Sequence, residues 1–330
     1  MTFSVGIGLT NECNLRCAHC YRPDMRLDRL TFQDVQTLCD SLPVRSMNLG
    51  VGENGFHPDY QKILAYLATR GIKTSITSNS ASIQMLSDDA VRQFHSVEFS
   101  LDFPTEAEHD AFRGAGNWRQ VMAAIERCTA LEMSVTVTAV MMCINYDRLA
   151  PLAKVAGSRG ANLRVNVYQP SKTDRFSMTY EQFWEGFQRL AAATYLVATT
   201  EPVLAGVLAL EGFTGPACGH STVRVAPDGR VMPCTYWPQS TLTLADLQAL
   251  GPEIIQAPEF RAARQVPRVC DGCPCRGGCA GRRALLGDPQ AADPYCPFAR
   301  GDHIVLDWAL AQHEDLPKVG SACTTVVSAR

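Results

Sequence analysis

The sequence predicts an α/β protein: a parallel array of six βα units, followed by a cysteine-rich region built differently. Two observations carry this. Short β-rich stretches alternate with amphipathic helical patterns as far as residue 198, and near residue 212 that alternation gives way to Gly, Pro and Cys. The β-rich stretches are SVGIGLT (4–10), MNLGVG (47–52), KTSITSN (73–79), SVEFSLD (96–102), SVTVTAVMM (134–142) and ANLRVNVYQ (161–169), each followed by a helical pattern. Thr31 reads as the N-cap of LTFQDVQTLCDSL and Asn117 as that of NWRQVMAAIERCTALE. The last helical pattern of the array is YEQFWEGFQRLAAATYLVA (180–198). The expected organisation is therefore a βα domain over 1–211, a cysteine-rich segment over 212–300, and a tail over 301–330. That tail holds one short apolar helix, in GDHIVLDWALAQH.

An apolar fraction of 46% over 330 residues suits one large buried core with a smaller appendage. A net charge of −3 supplies no basic footprint for a phosphate backbone, so nucleic acid is not an expected partner. No apolar run approaches the ~18 residues of a membrane span. The chain has fourteen cysteines, and its first residues lack the features of a signal peptide. The expected compartment is the cytosol, where clustered thiols point to metal or iron–sulfur ligation rather than to disulfides.

Straight after the first β-rich stretch comes TNECNLRCAHCYRPD, with Cys13, Cys17 and Cys20 at spacing Cys-x3-Cys-x2-Cys. In a parallel βα array such a strand-end loop is where functional groups gather. A cubane cluster normally takes four cysteines. Three leave one iron open to bind something else, whereas a closed zinc site wants a fourth ligand.

The triad resembles the signature of the radical S-adenosylmethionine (SAM) enzymes, with His19 where that family usually has Phe or Tyr. The resemblance implies a partial (β/α)6 TIM-like barrel. It implies a [4Fe–4S] cluster whose open iron chelates SAM, and a 5′-deoxyadenosyl radical that abstracts hydrogen from unactivated carbon. GVGENGFHPD looks like the family's Gly-Gly-Glu-Pro motif, with Val51 and Asn54 as departures. On that reading Gly52 and Glu53 offer backbone and carboxylate acceptors to the SAM ammonium. Asn79, Ser100 and Arg113 resemble positions that hold the SAM carboxylate and ribose, and His19 is a candidate for stacking on the adenine.

The later cysteines are similar to the SPASM extension of the same enzymes, which carries one or two auxiliary iron–sulfur clusters: Cys218 and Cys234 flank Gly229, and Cys270, Cys273, Cys275, Cys279 and Cys296 follow. A zinc ribbon is the alternative for Cys-x2-Cys pairs. Mapped onto the relatives, Cys270, Cys273, Cys279 and Cys296 make the distal set. Cys218 and Cys234 remain for the proximal set, with Cys275 a candidate third ligand and Arg283 where relatives have a further cysteine. Cys39, Cys128, Cys143 and Cys323 fall outside any motif and read as buried or incidental thiols.

SPASM enzymes mostly modify peptides, so the resemblance implies a ribosomally made precursor peptide as substrate, altered by backbone splicing with tyramine excision or by side-chain crosslinking. Because the first β-rich stretch begins at once, a separate leader-peptide recognition protein is an expected partner, beside a reductant such as flavodoxin or ferredoxin. CAGRRALLGDPQAADPYC keeps a haem-pathway or other small-molecule reading open. An iron–sulfur electron-transfer protein without turnover is the alternative from outside enzymology.

Overall fold

The computed structural model describes residues 1–22, 26–215, 217–238, 240–311 and 323–330. All six expected strands are present: β1 (Phe3–Ile7), β2 (Val44–Leu49), β3 (Lys73–Ser78), β4 (Ser96–Ser100), β5 (Val135–Met141) and β6 (Asn162–Val167). They pair in parallel with their chain neighbours, as βα crossovers require. Four more strands extend this array: β7 (Thr194–Thr199), β8 (Thr222–Val225), β9 (Val231–Met232) and β10 (Thr324–Ala329). The sheet order is β7-β10-β6-β5-β4-β3-β2-β1-β8-β9. Pattern changes near residue 212, yet the sheet does not end there, because β8 continues it beside β1 and β10 enters between β6 and β7.

Each strand of the array splits its residues by period two. Met47, Leu49, Ile76, Val97, Phe99, Val137, Leu163 and Val165 are buried in the core together with helix residues such as Val35, Ile63, Val121 and Leu152. The opposite face is polar and knits across strands. Asn48 donates to Ser75 at 3.0 Å, and Thr77 and Thr138 donate to Glu98 Oε2 at 3.0 and 3.3 Å. Arg164 pairs with Glu98 at 2.7 Å.

Thr31 caps the helix Phe32–Ser41 as expected, in a reciprocal capping box with Asp34. Asn117 does not cap the helix Asn117–Ala130. Gly116, at φ +78°, holds that position, and Asp110 accepts from the N–H groups of Gly116 and Trp118. Asn117 is thereby free to bond inward, to His109 Nε2 and to the Asn79 carbonyl.

Two helical expectations need correction. The helix from Tyr180 stops at Ala193, and TYLVAT forms β7 instead, since β-branched and aromatic residues suit a pleated surface. The tail helix is absent among the described residues: 302–309 run without helix, and Leu310 bridges to Leu196 of β7. Ile304, Leu306 and Trp308 are the more buried of that run and alternate with exposed neighbours. The pattern is that of an extended segment, not a helix. Residues 312 and 313 of the expected helix lie outside the described residues.

A buried charge cluster ties the cysteine-rich region to the helix Tyr180–Ala193. Arg282 bonds both oxygens of Asp293 at 2.9 Å and Glu201 Oε2 at 2.9 Å, all three side chains being almost fully buried. Its guanidinium lies 4.8 Å from the centroid of the Tyr295 ring, which stacks on Phe183 at 4.3 Å. Burial raises the Glu201 carboxyl to about 7, with Arg282 opposing. Replacing Arg282 by Met leaves two buried carboxylates facing one another without a cation. We expect a loss of about 3–5 kcal/mol in denaturant unfolding, the cost of breaking a buried pair.

Candidate active site and thiol clusters

The triad loop leaves the end of β1 and folds on itself. Arg22 donates to the carbonyls of Asn11 and Leu15 at 2.9 Å each, and Asn11 exchanges hydrogen bonds with Arg26 and Asp28. Cys20 N–H closes a turn on the Cys17 carbonyl at 3.1 Å. The Cys13 sulfur accepts from Leu15 N–H at 3.4 Å and from Asn79 Nδ2 at 3.5 Å. Burial pushes the Cys13 thiol up to about 11 and raises that of Cys17. Such thiols bind a metal as thiolates only once the metal displaces their protons.

Gly52 is where the second loop meets the first. At φ +62° a Cβ there would lie 2.4 Å from the Thr10 carbonyl oxygen and 2.6 Å from that of Glu12. Glu53 N–H then donates to the Glu12 carbonyl at 2.7 Å. Val51, where the family motif has its first Gly, sits at φ +67°, a left-handed conformation costly for a β-branched residue.

The Glu53 carboxylate differs from expectation. It is buried and turned onto the end of β3, accepting from Ser78 Oγ, from Asn79 N–H at 2.9 Å and from Ser82 N–H at 2.7 Å. With three donors already on it, Glu53 positions Asn79, and Asn79 in turn reaches Cys13 and Asn14. Glu53→Gln turns an N–H donor toward one of those donors. We expect this to cost about 1.5–3 kcal/mol in unfolding, the range for hydrogen bonds to charged groups, with SAM affinity falling alongside it in anaerobic calorimetry.

Ser100 ends β4, and two residues on stands Asp102, which sequence reading had not singled out. Its carboxylate accepts from Arg113 Nε at 2.6 Å and from Val140 N–H at 2.9 Å, while His19 Nε2 lies 3.8 Å away. Burial, the largest single influence, opposes the charge on Asp102, but the Arg113 guanidinium, His19 and the Val140 N–H together hold the carboxyl below its ordinary range. Arg113 thus arrives at the triad already oriented. His19 stacks on Phe112 at 4.8 Å, and burial lowers its pKa to about 4, so its imidazole is neutral at neutral pH. Among the described residues its buried Nδ1 has no hydrogen-bond partner.

The later cysteines form two groups, and their membership corrects the mapping drawn from the sequence. Cys273, Cys275 and Cys296 lie with all sulfurs within 4.8 Å of one another, 3.8 Å separating Cys273 from Cys296, and Cys270 adjoins them electrostatically. The Cys275 thiol donates to the Val203 carbonyl at 3.5 Å, and its closeness to Cys296 lowers Cys296 to about 6. Helix Pro202–Val207 seats this group: a Cβ on Gly206 would fall 2.7 Å from Cys275 Cα.

The second group is a chain of thiol contacts, Cys234 to Cys218, Cys218 to Cys323, and Cys323 to Cys279. Cys279 therefore belongs with Cys218 and Cys234, Cys275 belongs with the distal thiols, and Cys323 is no incidental thiol. The cause is a reversal between them: Arg276, Gly277 and Gly278 are all left-handed, at φ +48°, +83° and +68°. Cys279 N–H is then fixed on Asp293 Oδ2 at 2.7 Å. The sequence signal was the spacing Cys275-x3-Cys279, which repeats the Cys-x3-Cys that the mapping had sought between Cys279 and Arg283. Cys39 and Cys128 are buried core thiols, as expected.

Residues 7–156 match the Radical SAM superfamily. These residues are a radical SAM domain. Such a domain works with a [4Fe–4S] cluster and SAM, and the triad offers three thiols and no fourth. Mycofactocin maturase MftC of Mycobacterium ulcerans (strain Agy99) is 27% identical, over 94% of this chain and 90% of its own length. The PqqA peptide cyclase of Methylocella silvestris is also 27% identical, over 87% and 85%. Among solved structures, Streptococcus suis SuiB bound to precursor peptide SuiA superposes with a TM-score of 0.66 at 16% identity, covering 90% of this chain and 76% of its own. At that identity the likeness is one of fold. Among the described residues no helix is long and apolar enough to cross a membrane.

Proposed function

We propose that this protein is a radical SAM peptide maturase of SPASM type, acting on a ribosomally made precursor peptide. The observation that carries the reading is the combination of a three-thiol loop with two separate four-thiol groups on one radical SAM domain. An electron carrier needs no amino-acid pocket, whereas this chain orients Arg113 through Asp102, Asn79 through Glu53, and a neutral His19 beside the triad. The names of the relatives, a maturase and a peptide cyclase, favour a peptide over a tetrapyrrole or other small molecule.

Cys13, Cys17 and Cys20 would hold the SAM-binding cluster; Cys270, Cys273, Cys275 and Cys296 the distal auxiliary cluster; Cys218, Cys234, Cys279 and Cys323 the proximal one. The triad's group with SAM supplies a hydrogen-abstracting carbon radical. The chain's own part is to present Arg113 to the SAM carboxylate, Gly52 backbone to its ammonium, Ser100 and Asn79 to the carboxylate and ribose side, and the His19 ring to the adenine. The polar face around Glu98 and Arg164 gives a substrate chain hydrogen-bonding partners in place of water.

The reading includes a reducing compartment such as the cytosol, a one-electron donor of flavodoxin or ferredoxin type, and a separate leader-binding protein. Mass spectrometry of a precursor peptide co-expressed from the same gene cluster tests it. A defined mass change confined to the core peptide is expected: splicing removes the mass of a tyramine unit, a crosslink removes two hydrogens. An unchanged peptide beside a changed tetrapyrrole would move the assignment to the small-molecule branch.

A further inference from the structure

Two tyrosines link thiol sets that sequence distance keeps apart. Tyr21 follows Cys20 directly, and Tyr236 lies two residues past Cys234 with its N–H on the Cys234 sulfur at 3.4 Å. Their rings meet edge to face, centroids 5.5 Å apart and planes at 71°. The two rings thus stand between the triad loop and the proximal thiols. Gly281 keeps the wedge tight: a Cβ there would fall 2.8 Å from the Cys234 sulfur and 3.6 Å from Tyr236 Cβ.

We infer that Tyr21 and Tyr236 are the electronic contact between the iron–sulfur group on the triad and that on the proximal thiols, an inference resting on the cluster assignment proposed above. One electron passes along the path Cys234, Tyr236, Tyr21, Cys20. The proximal group is oxidised by one electron and the triad's group is reduced by one, with no bond broken and no proton moved. The electron enters the proximal group from the one-electron donor. What matters is the pair of rings in contact rather than the hydroxyls, so Phe serves at either position and Leu does not.

The test uses the anaerobically reconstituted full chain, reduced with titanium(III) citrate, freed of reductant and mixed with SAM. Freeze-quench electron paramagnetic resonance follows the auxiliary signals while 5′-deoxyadenosine is counted. In wild type the proximal signal is expected to disappear as deoxyadenosine formation continues past the first turnover. In Tyr236→Leu and, from the other side, in Tyr21→Leu, formation is expected to stop after the first turnover with the proximal signal intact, and Tyr236→Phe is expected to restore the second phase. A proximal signal that persists in wild type, or Leu variants that discharge it as fast as wild type, overturns the inference. Iron counts on each protein separate this from failure of the cluster assignment, since a missing proximal group shows as missing iron before SAM is added.

Discussion

Cys17→Ala is expected to abolish 5′-deoxyadenosine formation while leaving the iron of the auxiliary groups in place. The expectation follows from thiolate arithmetic: with three ligands in the loop, removing one leaves two, too few to hold a cubane that already presents one open iron. Among the described residues, Asn79 and Arg113 reach the triad as a donor to Cys13 and a cation bound to Asp102, and neither offers an anionic ligand in place of the lost thiolate. The thiols of the proximal group meet the loop through the two tyrosines. The measurement is deoxyadenosine by chromatography beside iron content, on protein reconstituted without oxygen. A variant that cleaves SAM at the wild-type rate would falsify the assignment of this loop.

Much of this architecture was legible in the sequence because it rests on local regularities. The six β-rich stretches stood out by composition and by the helical patterns between them, and the triad by a spacing that fits one loop. Misreadings came where a local pattern served two periods. TYLVAT continued the apolar positions of the preceding helix, and only its β-branched content hinted at β7. In the tail, GDHIVLDWALAQH reads as a short apolar helix by its composition, although its more buried residues Ile304, Leu306 and Trp308 are two apart.

Other features were not legible because they depend on contacts distant in sequence. Glu53 looked like an outward acceptor until Ser78, Asn79 and Ser82 closed on it, and Asp102 gained meaning only from Arg113, eleven residues away, and His19. Val51 is a middle case. Its departure from the family's Gly was visible, but that it bears the left-handed conformation was not. His19 is another: the spacing located it, yet its neutrality and its unpaired Nδ1 come from burial against Phe112.

Cys323→Ala is expected to leave the proximal group on three thiols with one iron open, as in the triad loop, and so to change its spectrum and let it take up an added thiol or imidazole, although this residue lies forty-four positions beyond Cys279 and in no motif. The sulfur of Cys323 contacts both Cys218 and Cys279, and Cys279 also lies beside Cys234, so the four thiols form one group. Its place is enforced by the sheet. The next residue begins β10, where Thr324 donates through Oγ1 to the Val165 carbonyl at 3.1 Å and pairs with Asn166. That pairing fixes where Cys323 can stand, which is how a tail residue becomes a ligand. Cys275→Ala should do the same to the distal group, and the two variants should change different signals in Mössbauer or paramagnetic spectra of the protein lacking the triad thiols. If wild type and Cys323→Ala have the same spectrum and respond alike to an added thiol or imidazole, Cys323 is not a ligand. A wild-type spectrum unmoved by such ligands beside a Cys323→Ala spectrum that shifts is the result that fits four cysteines, because a fully thiolate-bound cluster has no position left to offer.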